Sequence, residues 1–195
     1  QELAASIGQL YPKAKLPSSL GGGEANVVAW IWVRTVECPN PSCRVMAPLA
    51  NKFWLSTHKG NVAYAHPTLD KGAKRFGFEV RKVGSPRDGT VERSGAICLA
   101  CNNPISFEHI RAEGVAGRID FQLMAMAVEG DRVRHYLPPT EYQERIAAEC
   151  VPASEPESEL PPSALGFRVQ KYGLVRHKDL FTRRQLTSLA ALADA

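Results

Sequence analysis

Nowhere in these 195 residues is there an apolar run long enough to cross a bilayer, and no basic-then-apolar leader opens the chain. Both gaps set aside a membrane span and an export signal, so the expectation is a cytoplasmic chain with reduced thiols. Several chemistries are missing too. There is no Gly-x-Ser-x-Gly elbow and no P-loop. The Gly21-Gly22-Gly23 run follows Pro12 and Pro17, where a dinucleotide-binding turn would follow a strand. Hydrolysis by an activated serine and nucleotide hydrolysis therefore find no support. His58, His66, His109, His135 and His177 show neither His-Glu-x-x-His nor His-x-x-x-His spacing, and each reads as a surface or satisfied histidine. His109 is kept in reserve as a replacement ligand. Charge is also modest: 24 basic against 20 acidic residues leave +4, too little by itself to imply a nucleic-acid partner.

Cysteine is scarce, five in all, and four of the five are paired. Cys38-Pro-Asn-Pro-Ser-Cys43 and Cys98-Leu-Ala-Cys101 each follow a β-rich run. Two to four intervening residues let a chain turn back so that both thiolates reach one ion at about 2.3 Å. Cys38, Cys43, Cys98 and Cys101 are accordingly expected to hold one tetrahedral zinc ion, as a zinc ribbon. Four thiolates leave no position for water, so such a site supports structure and does not activate a nucleophile. A redox Cys-x-x-Cys expects a βαβ setting, whereas Ile97 to Ile105 reads as strand, turn and strand. A disulfide needs an oxidising compartment. Buried small thiols would explain one cysteine better than two pairs. Cys150, at a helix end beside an acidic stretch, is read as a bystander.

At 44% hydrophobic, the chain can bury a core. The predicted class is α+β: a mainly antiparallel zinc-ribbon-like domain with a long β excursion between the two knuckles, and peripheral helices. Residues 1–24 are read as a truncated helix (Leu3, Ile7, Leu10) and a flexible Gly/Pro linker. Residues 25–150 form the β-rich domain. Within it, strands are predicted at Val27 to Glu37, Val45 to Ser56 with a bend at Pro48, Val62 to Ala65, Phe76 to Val83 and Thr90 to Cys98. A helical turn capped by Ser106, a hairpin around Gly130-Asp131 and a helix capped by Thr140 follow. Residues 151–163, with four prolines and Glu155, Glu157 and Glu159, read as an extended linker that buries nothing. Residues 164–195 read as a basic tail ending in a helix capped by Thr182. No internal repeat is seen beyond the knuckles. Both termini fall on helical stripes and the first residue is Gln, which suggests a piece of a longer protein.

Basic residues gather at Lys71 to Arg93 and at Arg168 to Arg184. Solvated faces explain each cluster alone somewhat better than phosphate contact does. Trp30, Trp32, Phe53, Trp54 and Tyr64 lie among aliphatics and are read as core in preference to a base-stacking platform.

Taken in order, a set of phrases resembles the zinc-ribbon-containing adenine-specific DNA methylases, often grouped as DUF1156-domain methyltransferases. They are Ile7-Gly8-Gln9-Leu10-Tyr11-Pro12, Trp30 to Cys43, Phe53-Trp54-Leu55-Ser56 and Gly95 to Cys101. Gly117-Arg118 with Gln122 to Ala125, Tyr136 to Pro139 and Asp179 to Leu186 complete the set. The resemblance implies a parent enzyme that transfers a methyl group from S-adenosylmethionine to the exocyclic amine of adenine in DNA. It also implies an Asp-Pro-Pro-Tyr-type catalytic motif and a Phe-x-Gly-x-Gly-type cofactor loop. Leu137-Pro138-Pro139-Thr140 and Leu160-Pro161-Pro162-Ser163 lack the acidic or amide residue and the aromatic. The chain is thus expected to be the parent's accessory middle region, without catalytic or S-adenosylmethionine-binding residues of its own. Its expected partners are DNA, through Arg75, Arg81 and Lys82, and the remaining domains of the parent, with no membrane. A purely structural or protein-interaction module is the competing expectation.

Overall fold

A computed structural model describes residues 7–130, 133–162, 166 and 168–193. Leu3 of the opening stripe, Asp131 of the hairpin turn, Ser163, Phe167, Asp194 and Ala195 lie outside them. The architecture is α+β: a seven-stranded, mostly antiparallel sheet, two small sheets and few helices. Among the described residues, no helix is long and apolar enough to cross a membrane.

The longest strand, β3 (Val27–Glu37), lies inside the sheet and is rich in β-branched and aromatic residues, which suit a pleated, partly buried surface. On one flank it pairs with β11 (Asp120–Val128), which pairs with β12 (His135–Leu137). On the other it pairs with β4 (Met46–Leu49). Beyond β4 come β7 (Arg75–Arg81), β6 (Ala63–Asp70) and β5 (Trp54–Ser56), so the excursion between the knuckles widens the sheet. The β4–β7 contact is the parallel exception, Met46 beside Arg75.

Alternation along β3 builds two cores. Ile31, Val33 and the nearby Val36 face a large cluster containing Phe53, Phe76, Phe78, Ile105 and Ile110, whereas Trp30 and Trp32 face a smaller one with Ala14, Leu123, Met126 and Val128. On β11 the register shifts between Leu123 and Ala125. The extra residue there explains how Leu123 and Met126, of opposite parity, reach the same cluster. Of the aromatics, Phe53 and Tyr64 are buried, Trp30 and Trp32 pack against the smaller core, and the partly buried Trp54 lies edge-on to Tyr64 at 5.7 Å between ring centres.

Three sequence expectations change. The Gly/Pro opening is not a loose linker: β1 (Ala14–Lys15) and β2 (Glu24–Ala25) pair around Gly21, Gly22 and Gly23, all with positive φ, and Ala14 is buried. The return strand from Val45 to Ser56 splits. After Leu49 the chain is drawn out of the sheet by buried Thr90, whose hydroxyl donates to Pro48 O at 2.6 Å and accepts from Ala50 N at 2.9 Å. β5 re-enters at the far edge. Finally, the proline-rich stretch is extended but not free. Leu160 is buried, its N–H donates to Val175 O, and His177 N–H donates to Ser158 O. Glu155 and Glu157 meet Lys178 at 2.9 and 2.8 Å, and Glu157 meets Arg176 at 2.6 Å.

Helices act as braces. α1 (Phe107–Val115) is capped by Ser106, which accepts from His109 N. α2 (Glu141–Glu149) is capped by Thr140. α3 (Arg183–Ala193) starts with a reciprocal Thr182–Gln185 capping box, as the Thr-x-x-Gln spacing requires. Gly114 of α1 and Gly173 meet backbone to backbone, where a Cβ on either would overlap the other segment.

Candidate metal centre

Cys38 and Cys43 flank the turn that joins β3 to β4. Cys98 and Cys101 flank the turn between β9 (Gly95–Ile97) and β10 (Pro104–Ser106), which with β8 (Val91–Glu92) forms a three-stranded sheet. The two turns are built alike. Cys38 N donates to Val45 O and Cys98 N to Asn103 O, in each case the carbonyl two residues beyond the second cysteine. The residue after that second cysteine, Arg44 or Asn102, sits in the left-handed region at φ 49° and 59°. Asn tolerates this conformation well, and Arg44 is held there by its N–H bond to Asn40 O and an ion pair to Glu37 at 3.3 Å. Asn40 also accepts from Ser42 N through its side chain.

The turns bring all four sulfurs within 4.8 Å of one another. Cys38 Sγ lies 3.7 Å from Cys101 Sγ, and Cys43 Sγ 3.9 Å from Cys98 Sγ. A tetrahedron with metal–sulfur bonds of about 2.3 Å has edges of about 3.8 Å. Two of the six edges match that value, and the chain offers a four-cysteine site that could hold a metal.

Cys38 and Cys98 are buried in the large core, while Cys43 and Cys101 are partly covered. Burial pushes the Cys38 and Cys98 thiols up, against backbone N–H donors from Asn40 to Cys38 and from Cys101 and Ala100 to Cys98. At Cys101 burial also raises the value, but the Asn103 N–H and hydrogen bonds from the other three thiols outweigh it and bring it down to about 7. A cation within the cluster reverses the preference for neutral thiols, because its charge stabilises every thiolate.

Comparison with known proteins returns no match. Neither a family model, a curated protein nor a solved structure aligns with the chain. The site therefore rests on its own geometry.

The reserve role considered for His109 does not arise, since its Nε2 lies 2.9 Å from Glu37 O. Read as a donor, that ring N–H ties α1 to the end of β3 just before Cys38. Cys150 stands apart at the end of α2, buried, its Sγ donating to Ile146 O, and burial raises its thiol. The arginines and lysine expected to meet DNA are dispersed. Arg75 pairs with Glu144 at 3.5 Å, Arg81 pairs with Glu79 at 2.9 Å, and Lys82 is exposed beyond the strand. Across the β6–β7 ladder, Arg75 faces Asp70. The hydrogen-bonding roles of His109, Asn40 and Asn103 were not foreseen. The asparagines beside each cysteine pair were the available signal.

Proposed function

We propose that the chain is the zinc-bearing accessory region of an S-adenosylmethionine-dependent, adenine-specific DNA methyltransferase, and that its four-cysteine ion is structural zinc. The observation that carries the metal half is the convergence of four thiols at tetrahedral spacing from two like-built turns. An all-sulfur tetrahedral set favours zinc or an iron–sulfur centre, and a closed structural zinc site asks only for the geometry present. The methylase half rests on the ordered phrases that resemble that family, and the methyl donor belongs to the rest of the parent.

In this reading the metal joins the β3–β4 turn to the β9–β10 turn and so fixes the excursion between them, in which β7 and the residue after it present Arg75, Arg81 and Lys82 toward DNA. A second reading, docking against the rest of the parent without DNA contact, is favoured by the interleaving of Glu79 and Asp70 with those bases. Two measurements test the proposal. Metal analysis should give one zinc per chain, with loss of folded signal on chelation. DNA affinity of the parent should fall steeply with salt and fall again when Arg75, Arg81 and Lys82 are neutralised. Metal-free folded protein overturns the first half, and unchanged DNA affinity overturns the contact surface.

A further inference from the structure

Away from the thiols, a cavity of about 580 Å³ opens between the face of the main sheet, α2 and the segment that leads into α3. Its volume falls in the range of small-molecule sites. Its walls combine two features that rarely coincide by packing alone.

The first is exposed aromatic surface. Phe121, on β11, is 48% exposed although it sits in a strand whose next seven residues are buried, and Phe181 is 42% exposed. Both line the cavity together with the partly buried Trp32. The second is a surplus of unanswered positive charge. Four arginines and three carboxylates line the space. The carboxylates are already engaged by the chain. Asp120 accepts from Phe121 N at 2.7 Å, Asp179 from Val175 N and Arg176 N at 2.9 and 2.7 Å, and Glu144 from Leu123 N and from Arg75.

The arginines are not answered in the same way. Arg34 has its guanidinium carbon 5.5 Å from the centre of the Phe121 ring, and among the described residues neither it nor Arg183 meets a carboxylate. Arg184 is 95% covered (5% exposed), yet it too meets none. It lies 4.2 Å from the Trp30 ring centre and 4.8 Å from that of Tyr11, with one long bond to Leu10 O at 3.5 Å. A guanidinium taken out of water without an anion is costly. An incoming anion recovers part of that cost.

We infer that this cavity binds a nucleotide unit, its base against the Phe121 and Phe181 rings and its phosphate toward Arg34, Arg183 and Arg184. Flat apolar walls take up a base of any sequence, and arginines beside them supply the phosphate contacts, the combination used for single strands. A simple inorganic anion would leave the aromatic faces wet, and an aliphatic acid would gain nothing from their planarity. This inference deepens the nucleic-acid part of the proposed function, but it places the contact here and not at the Arg81 and Lys82 end of β7.

The test uses the metal-loaded chain, with quenching of Trp fluorescence as the readout, against free dAMP and a short single-stranded oligodeoxynucleotide. Saturable quenching by either supports the shared chemistry. Tighter binding of the oligonucleotide marks a strand as the source, and equal or tighter binding of dAMP marks a free nucleotide. Phe121→Ala, and separately the double variant Arg34→Gln with Arg183→Gln, should each weaken binding by roughly five- to a hundredfold. These side chains are exposed, so an unchanged circular dichroism spectrum is expected and separates lost binding from lost folding. No quenching by either ligand, or variants that bind as well as the parent chain, overturns the inference. If Arg81→Gln with Lys82→Gln abolishes oligonucleotide binding while the cavity variants do not, the cavity assignment falls and the surface at the end of β7 stands.

Discussion

The two ends of β3 are secured by opposite means. At its C-terminal end, four sulfurs on two short turns converge beside the large core, an arrangement that could hold a metal. At its N-terminal end, around Trp30, the chain relies on directional polar contacts inside an apolar shell. Trp30 Nε1 donates to Gln143 Oε1 at 2.8 Å, Gln143 Nε2 donates to Pro12 O and Lys13 O at 3.2 Å each, and Arg184 stacks over Trp30 and Tyr11. One strand thus teaches two ways of closing a small core. With the proposed zinc bound, the first depends on metal supply, whereas the second is intolerant of a lost partner.

The comparison breaks most sharply at the sulfurs. Cys98→Ser should abolish stoichiometric metal binding and cost about 5 kcal/mol or more, read by metal analysis and chemical denaturation. Because thiolates must lose protons to bind, affinity should also fall as pH is lowered. Next is Gln143→Leu, which keeps side-chain bulk but strands the Trp30 N–H and two carbonyls. A loss of about 2–4 kcal/mol is expected with metal content unchanged. If metal content fell as well, the two ends would not be independent. Arg184→Met should cost about 1–2 kcal/mol, because the apolar stem remains and the cation–π contacts go.

Smaller effects sharpen the same contrast. Glu113 is held below the usual carboxylate range, first by hydrogen bonds from Arg118 and then by its charge. Its stabilising contribution is therefore present at neutral pH and is lost as pH falls through that depressed value. Glu113→Gln should flatten the acid limb of a stability-versus-pH curve by lowering stability at neutral pH, with the most acid region almost unchanged. Last, Glu155→Gln with Glu157→Gln should speed amide exchange around residues 157–160 at low salt, with no change in global melting, since exposed pairs are screened.

Much of this was readable from residue order. The strand at Val27–Glu37 and the caps at Ser106, Thr140 and Thr182 follow from local chemistry, because β-branching and N-cap hydroxyls act within a few residues. The cysteine pairs announced their own convergence by spacing. What could not be read was the placement of segments whose partners are distant. Thr90 pulls residue 50 out of the sheet across 40 positions, and β5 lands beside β6 at an edge. The acidic proline-rich stretch was misread because its composition forbids a core of its own. It does not forbid docking on someone else's, which Leu160 and the Lys178 pairs accomplish. The cavity was invisible for the same reason, its walls being contributed by β3, β11, α2 and the approach to α3.

The contact of Gly114 with Gly173 joins the two halves of this account. Where main chain rests directly on main chain, no side chain is left to flex, and any tilt of α1 is passed on undamped to the segment carrying Leu174. His109 ties that helix to the strand end preceding Cys38. A side chain at either glycine would force the two backbones apart and shift the segment carrying Leu174, so Gly114→Ala or Gly173→Ala would be felt at the cavity rim.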